Sequence, residues 1–310
     1  MSMKTVFMGT PEFGAVCLRK LLDEGYEVCA VVTQPDRPKG RGNKLVFSPV
    51  KEIAVNAGIP VLQPEKISRE CVEELEKMHP DVFVTAAFGQ FLSEKILSIP
   101  VYGTVNVHAS LLPKHRGSAP INWSVILGEK ETGITTMMTV RKMDAGDILL
   151  QKKVPILEDE TAGELTERLA GIGAELLIET LQKLEKGNCP RTPQNEEEMT
   201  YEPMLTKENG RINWQESAER ICCLVRGTSP WPGAYCDMAG EVMKVWKAVP
   251  AENGYAGEPG NVITADPKNG LIVACGSGAV KITEIQMQGG KRMSVSAYLS
   301  GHRITVSSLG

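Results

Sequence analysis

Residues 4–34 read KTVFMGTPEFGAVCLRKLLDEGYEVCAVVTQ, and this stretch decides the fold class. A short apolar run, Thr5 to Met8, meets a tight turn at Gly9 and Thr10. A helix then opens at Pro11, and VCAVV (28–32) returns to strand. Strand, helix and strand at this spacing form a βαβ unit and therefore predict a parallel sheet. The turn keeps Gly9 and Gly14 but has Pro11 where a dinucleotide fingerprint needs its middle glycine. A pyrophosphate could not approach that backbone closely, so the turn predicts the sheet and argues against a bound dinucleotide.

The same alternation continues along the chain. DVFVTAAF, TVNVH and ITTMMTV read as further strands, and Ser48 with Pro49 reads as a helix start with proline in the favoured first position. Cys71, Val72, Leu75 and Met78 recur at three-to-four spacing, a core-facing helical stripe. From Thr161, Leu165, Leu169, Ile172, Leu176 and Leu184 keep that period until Gly187, where a left-handed cap is expected. Residues 190–205 carry prolines, three consecutive glutamates and no period, so they predict a linker. Beyond 206, one helix near Ser217 to Val225 precedes short strands punctuated by AGE, ENG, EPG, KNG, GSG and QGG. That pattern belongs to a small antiparallel barrel or sandwich. The expected organisation is an α/β, Rossmann-like domain over 1–189, a linker over 190–205, and a smaller, mostly β domain resembling an oligonucleotide-binding (OB-like) barrel over 206–310.

Length and composition agree with two globular domains: 310 residues, 42% hydrophobic, 23% charged, and a net charge of -4. MSMKTVFMGT runs straight into strand, and no long uncharged apolar run follows anywhere, so the expectation is a cytoplasmic chain with neither leader nor membrane span. Eight cysteines are scattered without CxxC and read as reduced thiols. Histidines 79, 108, 115 and 302 never fall at metal-ligand spacing, so no metal is expected. Charge is uneven. Residues 36–51 hold Arg37, Lys39, Arg41, Lys44 and Lys51 against Asp36 alone, whereas residues 1–190 count 22 basic and 25 acidic side chains. A solvated loop and a phosphate-binding loop both fit that cluster.

VNVHASLLPKHRGSAPINWS, residues 105–124, is where chemistry concentrates. Asn106 and His108 are two apart on a β-branched run, so their side chains leave one face of a strand that ends immediately afterwards. Open α/β sheets bind ligands at such carboxyl ends. MDAGDILL (143–150) is an acidic turn feeding a strand, and its Asp144 would accept from the His108 ring and orient it for proton transfer. On residue types alone, a hydrogen-bonded structural pair and a turn-forming Asp are the commoner readings of these positions.

NVHASLLPKHRGSAPI (106–121), DAGDI (144–148), GTPEF (9–13) and QPDRPKGRG (34–42) are followed by LTKENGRINW (205–214), TSPWPGA (228–234) and MKVWKA (243–248). As an ordered set spanning nearly the whole chain, these motifs resemble the methionyl-tRNA formyltransferase family. The resemblance implies that Asn106, His108 and Asp144 are the catalytic residues and that Ser110, Leu111, Leu112 and Pro113 form a folate-contacting loop. It implies 10-formyltetrahydrofolate as formyl donor and the α-amine of methionyl initiator tRNA as acceptor. Arg37, Lys39, Arg41, Lys44 and Lys207 are the expected tRNA contacts, with Arg41 at the tip of the inserted loop. Met204 stands where the family usually has lysine.

The residue types suit that reaction. Attack of an amine on a formamide-like carbonyl places negative charge on oxygen, and a donor aimed at it is worth on the order of 3 kcal/mol. An α-amine has a pKa of about 8, so a neutral, nucleophilic fraction exists near pH 7 without a strong base. Neither a nucleophilic Ser or Cys nor a metal is needed. The nearest rival is formyl transfer to another amine, such as an amino-sugar nucleotide, because the NxH, SLLP and DxGD motifs specify the donor and not the acceptor. The cationic loop favours tRNA. A hydrolase that gives the formyl group to water would have no need of that loop. A catalytically silent RNA-binding relative is the reading from another class, and the intact Asn106, His108 and Asp144 argue against it. In the C-terminal domain Trp214, Trp231 and Trp246 read as packing residues ahead of base-stacking ones. Residues 191–310 balance 12 basic against 13 acidic groups, so a nucleic-acid surface there rests on asymmetry within the domain.

Overall fold

In a computed structural model describing residues 3–39, 44–252, 255 and 257–310, the chain falls into two compact units. The first comprises residues up to Gly117 with Thr132–Pro155 and Thr166–Tyr201. Its sheet is built from strands β1 (Thr5–Gly9), β2 (Val28–Val32), β3 (Val61–Leu62), β4 (Val82–Ala86), β5 (Thr104–His108), β6 (Glu131–Met138) and β7 (Ile148–Pro155). The spatial order is β7-β6-β5-β4-β1-β2-β3. Pairings among β1 to β5 are parallel, and β6 runs antiparallel to β5. The parallel strands are buried on both faces, which explains why TVFM, VCAVV and VFVTA read as continuous apolar runs. Phe7, Met8 and Phe83 are fully enclosed, and each contributes about 1.5–3 kcal/mol relative to exposure.

The chain leaves β1 in one direction toward β2 and β3 and returns on its other side with β4 and β5. That reversal is the switch point of an open α/β sheet, and β5 lies one strand beyond it. Helix α1 (Glu12–Asp23) follows β1, and α2 (Pro49–Asn56) is capped by the Ser48 hydroxyl, which accepts from the Lys51 amide at 3.1 Å. Helix α3 (Ala162–Glu185) keeps the leucine period read from the sequence, and Gly187 takes the left-handed cap at φ 65°.

The second unit comprises Ser118–Glu131, Ile156–Leu165 and Glu202–Gly310. Its strands β8 (Ala234–Met238), β9 (Glu241–Pro250), β10 (Val262–Asp266), β11 (Gly270–Ala274) and β12 (Ala279–Met287) pair antiparallel in the order β8-β9-β12-β11-β10. The result is the mostly β domain that the glycine-punctuated turns predict. Helix α4 (Pro120–Ile126) packs on α5 (Ala218–Gly227), where the Asn122 amide donates to the Gly227 carbonyl at 2.8 Å.

These units divide the chain differently from the expected boundaries. Residues 118–131 and 156–165 group with the C-terminal strands. The first part of the expected linker groups with the first unit, because Thr192 bridges Ile148 in both directions at 2.9 Å and Thr200 accepts from the His115 amide at 2.8 Å.

Candidate active site

β5 carries Asn106 and His108 to the carboxyl edge of the sheet. Thr85 of β4 stands beside Asn106 in register, and its hydroxyl donates to the Asn106 side-chain oxygen at 2.9 Å. With that oxygen engaged, the Asn106 amide nitrogen faces outward and has no hydrogen-bond partner among the described residues. His108 is buried, and its Nε2 lies 2.9 Å from the His115 carbonyl oxygen. A carbonyl can only accept, so Nε2 carries a proton, and in the neutral form of the ring the lone pair is the one at Nδ1.

That tautomer revises the expected role of Asp144. Its Oδ2 lies 3.8 Å from His108 Nδ1, beyond hydrogen-bond distance, and instead accepts from the Gly117 amide at 2.9 Å. The carboxylate therefore faces Nδ1 without fixing the ring. Orientation of the ring comes from the His115 carbonyl. Asp144 and His115 both sit in the left-handed region, at φ 47° and 56°, a backbone state that persists in non-glycine residues only where surrounding contacts over-determine it.

Those contacts come largely from the segment expected to be a linker. Arg116 is buried, and its guanidinium donates to Gln194 Oε1 through Nε at 3.0 Å and Nη2 at 2.7 Å, and to Glu196 at 2.8 Å. The Gln194 amide donates in turn to the carbonyls of Asp144 at 2.8 Å and Gly146 at 2.7 Å. Hydrogen bonds from Arg116 first, and from Lys142 second, hold the Glu196 carboxyl down at about 2. Sequence reasoning missed Gln194, Thr200 and Arg116 as site residues, and no periodicity marks them.

Residues 110–113 form a closed loop beside this pair. The Ser110 hydroxyl donates to the Lys114 carbonyl at 2.7 Å, and the Ser110 carbonyl accepts from Thr135 at 2.7 Å. Thr135 also accepts from the Leu112 amide at 3.2 Å and from Gln151 at 2.9 Å. Ser110 and Leu112 are thus buried and internally bonded, leaving Leu111 and Pro113 partly exposed. Thr135 anchors the loop from within ITTMM, where nothing in the sequence distinguishes it from a core threonine. At the switch point, the Phe88 carbonyl accepts from Gln34 at 3.1 Å and from Thr10 at 3.4 Å, tying the turn after β4 to the one after β1.

The expected tRNA contacts fare unevenly. Arg37–Lys39 and Lys44–Val46 form an antiparallel hairpin, and Arg37 is exposed with Glu65 at 3.3 Å. Arg41 lies outside the described residues. Lys51 turns inward, bonding Asp36 and, at 2.7 Å, Gln63, and its hydrogen bond to Asp36 is the main cause that lowers that carboxyl from its usual range. Lys207 is exposed at the start of the Glu208–Gly210 turn, and Met204 is exposed as well. Trp214 is core as expected, whereas Trp231 is 54% exposed and Trp246 is half-buried between Lys244 and Arg292. The two adjacent prolines explain Trp231, since they hold it in a turn and not in a strand facing the core.

Family comparison accords with this layout. The pattern described as Formyl transferase matches residues 3–181, and that described as Formyl transferase, C-terminal domain, matches 204–303. Curated relatives named methionyl-tRNA formyltransferase are 51% identical in Caldanaerobacter subterraneus subsp. tengcongensis and 52% identical in Acetivibrio thermocellus. Each alignment covers 97% of this chain, and 98% and 97% of the respective relatives. The chain belongs to the methionyl-tRNA formyltransferase family. Solved structures share the fold of this formyltransferase at lower identity. HypX from Aquifex aeolicus in complex with tetrahydrofolic acid matches with TM-score 0.65 at 20% identity, covering 97% of this chain and 47% of HypX. An N-formyltransferase from Helicobacter canadensis, in complex with folinic acid and dTDP-3-aminofucose, matches with TM-score 0.68 at 18% identity over 94% of this chain and 100% of that one. All eight cysteines of the formyltransferase are free. No described helix is long and apolar enough to cross a membrane, and the described residues contain no cluster of His, Cys, Asp or Glu able to hold a metal.

Proposed function

We propose that the chain transfers the formyl group of 10-formyltetrahydrofolate to the α-amine of methionyl initiator tRNA in the cytoplasm. The observation that carries this reading is the outward amide of Asn106 beside the open Nδ1 of His108, with the Asp144 carboxylate 3.8 Å from that nitrogen. The folate supplies the activated one-carbon unit. Leu111 and Pro113, the partly exposed members of the 110–113 loop, offer apolar surface to a planar ring, while the bonded Ser110 and Leu112 keep that loop rigid.

The Asn106 Nδ2 donates toward developing negative charge on the formyl oxygen. The neutral amine has little need of a strong base. His108 Nδ1 accepts the proton that the amine gives up, and Asp144 presents the opposite charge to the imidazolium so formed. Delivery of that proton to the departing nitrogen completes the exchange. The cations of residues 37–44, Arg41 among them, and Lys207 serve the phosphates of the acceptor arm. Support for tRNA over an amino-sugar nucleotide comes from that basic loop and from relatives named for the tRNA reaction.

The test is incubation with 10-formyltetrahydrofolate and either methionyl initiator tRNA or an amino-sugar nucleotide. Formyl on the methionine nitrogen is expected. Formyl on the sugar amine, or release as formate only, would overturn the reading.

A further inference from the structure

We propose that Gln194 is a positioning residue that sets the relation of Asp144 to His108. The proposal rests on the formyl-transfer reading for its kinetic consequences and on geometry alone for its structural ones. Residues 115–117 already touch both partners: the His115 carbonyl accepts from His108 Nε2 at 2.9 Å, and the Gly117 amide donates to Asp144 Oδ2 at 2.9 Å. Those bonds reach the Asp144 side chain and leave the main chain of its turn untouched by residues 115–117. Gln194 bonds that main chain directly. All of its side-chain hydrogen-bonding capacity is committed, its oxygen to two nitrogens of Arg116 and its nitrogen to the carbonyls of Asp144 and Gly146. It therefore ties the residue between His115 and Gly117 to the left-handed turn at Asp144.

Arg116 cannot swing away to another acceptor without cost, because its guanidinium is almost fully enclosed. Glu196 supplies the balancing charge from the exposed side, and Thr200 fixes the backbone at His115 and Arg116 through its hydroxyl and its carbonyl. A segment with no periodicity thus holds both halves of the proton-transfer pair, with Gln194 as the member common to both.

Three variants separate positioning from general support. Gln194→Met keeps length and removes every hydrogen bond. Gln194→Glu keeps an acceptor for Arg116 but loses the donors to the two carbonyls. Glu196→Gln leaves all the contacts of Gln194 in place. We expect both Gln194 variants to lower kcat at least tenfold, with KM for 10-formyltetrahydrofolate and for methionyl initiator tRNA within threefold of wild type. The acidic limb of their kcat profile should move by at least half a pH unit. Glu196→Gln should lower kcat less than either Gln194 variant and leave the profile unmoved.

A second readout needs no activity. The Gly117 amide, bonded to Asp144 Oδ2, should exchange its hydrogen at least tenfold faster in Gln194→Met than in wild type. Unchanged Gly117 exchange, or kcat within threefold of wild type in both Gln194 variants, overturns the proposal. So does an equal fall in kcat for all three variants with the pH profile unmoved. A wild type that formylates no tRNA would overturn the functional reading and leave the exchange measurement to decide the positioning role.

Discussion

Gly146→Ala is the sharpest perturbation the site allows. A Cβ built on Gly146 would stand 1.7 Å from the Met138 carbonyl oxygen, whereas carbon and oxygen settle at about 3.3 Å, leaving a shortfall of about 1.6 Å. Neither side yields easily: Met138 closes β6 and its amide donates to the Asp147 carbonyl at 2.9 Å, while Gln194 grips the carbonyl of Gly146 itself and that of Asp144, two residues before it. Backbone overpacking of this kind costs about 3 kcal/mol, the upper end of the usual range, which lowers the melting temperature by roughly 5–10 °C. The turn that relaxes the clash carries Asp144, and displacement of a reacting group by about 1 Å costs on the order of a hundredfold in rate. The assay pairs thermal melting with formyl transfer to methionyl initiator tRNA. Gly171→Ala is the control: Gly171 is exposed on α3 and a Cβ built there meets nothing within 4 Å beyond the helix's own neighbouring backbone, so alanine should stabilise by about 0.5–1 kcal/mol and leave turnover alone. Gly146→Ala melting within 1 °C of wild type, with turnover reduced less than threefold, would refute the reasoning.

His108→Ala should lower kcat more than a hundredfold while costing only about 1 kcal/mol, the His115 carbonyl having lost its donor; near-normal turnover would remove His108 from the mechanism. Arg41→Ala should weaken tRNA use and flatten its salt dependence without changing folate affinity, and equal loss for both substrates would make the loop structural. Glu196 ionises at about 2 in the folded chain, below its ordinary value near 4.5, so its contribution to stability is complete above about pH 4.5 and fades as pH falls toward 2. Melting curves of wild type and Glu196→Gln should therefore converge over that window; a gap that stays constant from pH 7 to 3 would contradict the assignment.

How much of this was legible in the sequence varies with the physics. Apolar runs declared β1, β2, β4 and β5, since parallel strands are buried on both faces and admit few polar residues. Ser48 with Pro49 and the glycine at 187 marked helix ends because capping depends on residue type. The two-residue spacing of Asn106 and His108 placed both on one face. The bond that orients the imidazole was illegible, because a main-chain carbonyl at His115 has no sequence signature. Gln194 was hidden for a related reason. Its contacts span 48 to 78 positions, and a polar stretch with prolines looks alike whether it is solvated or bonded. Lys51 misled in the opposite direction: counted with the cationic loop, it is neutralised locally by Asp36.

Strand β7 forms one outer margin of the seven-stranded sheet, and such margins invite other chains to add strands. Its first residue is already covered by Thr192. Further along, Gln151, Lys152 and Lys153 are exposed in succession, and Pro155 has no N–H to offer. Any incoming strand would have to strip water from two ammonium groups to pair there. The formyltransferase sheet is thereby a poor seed for fibrils, and replacing both lysines with valine should convert this margin into an aggregation site without disturbing the turn at Asp144.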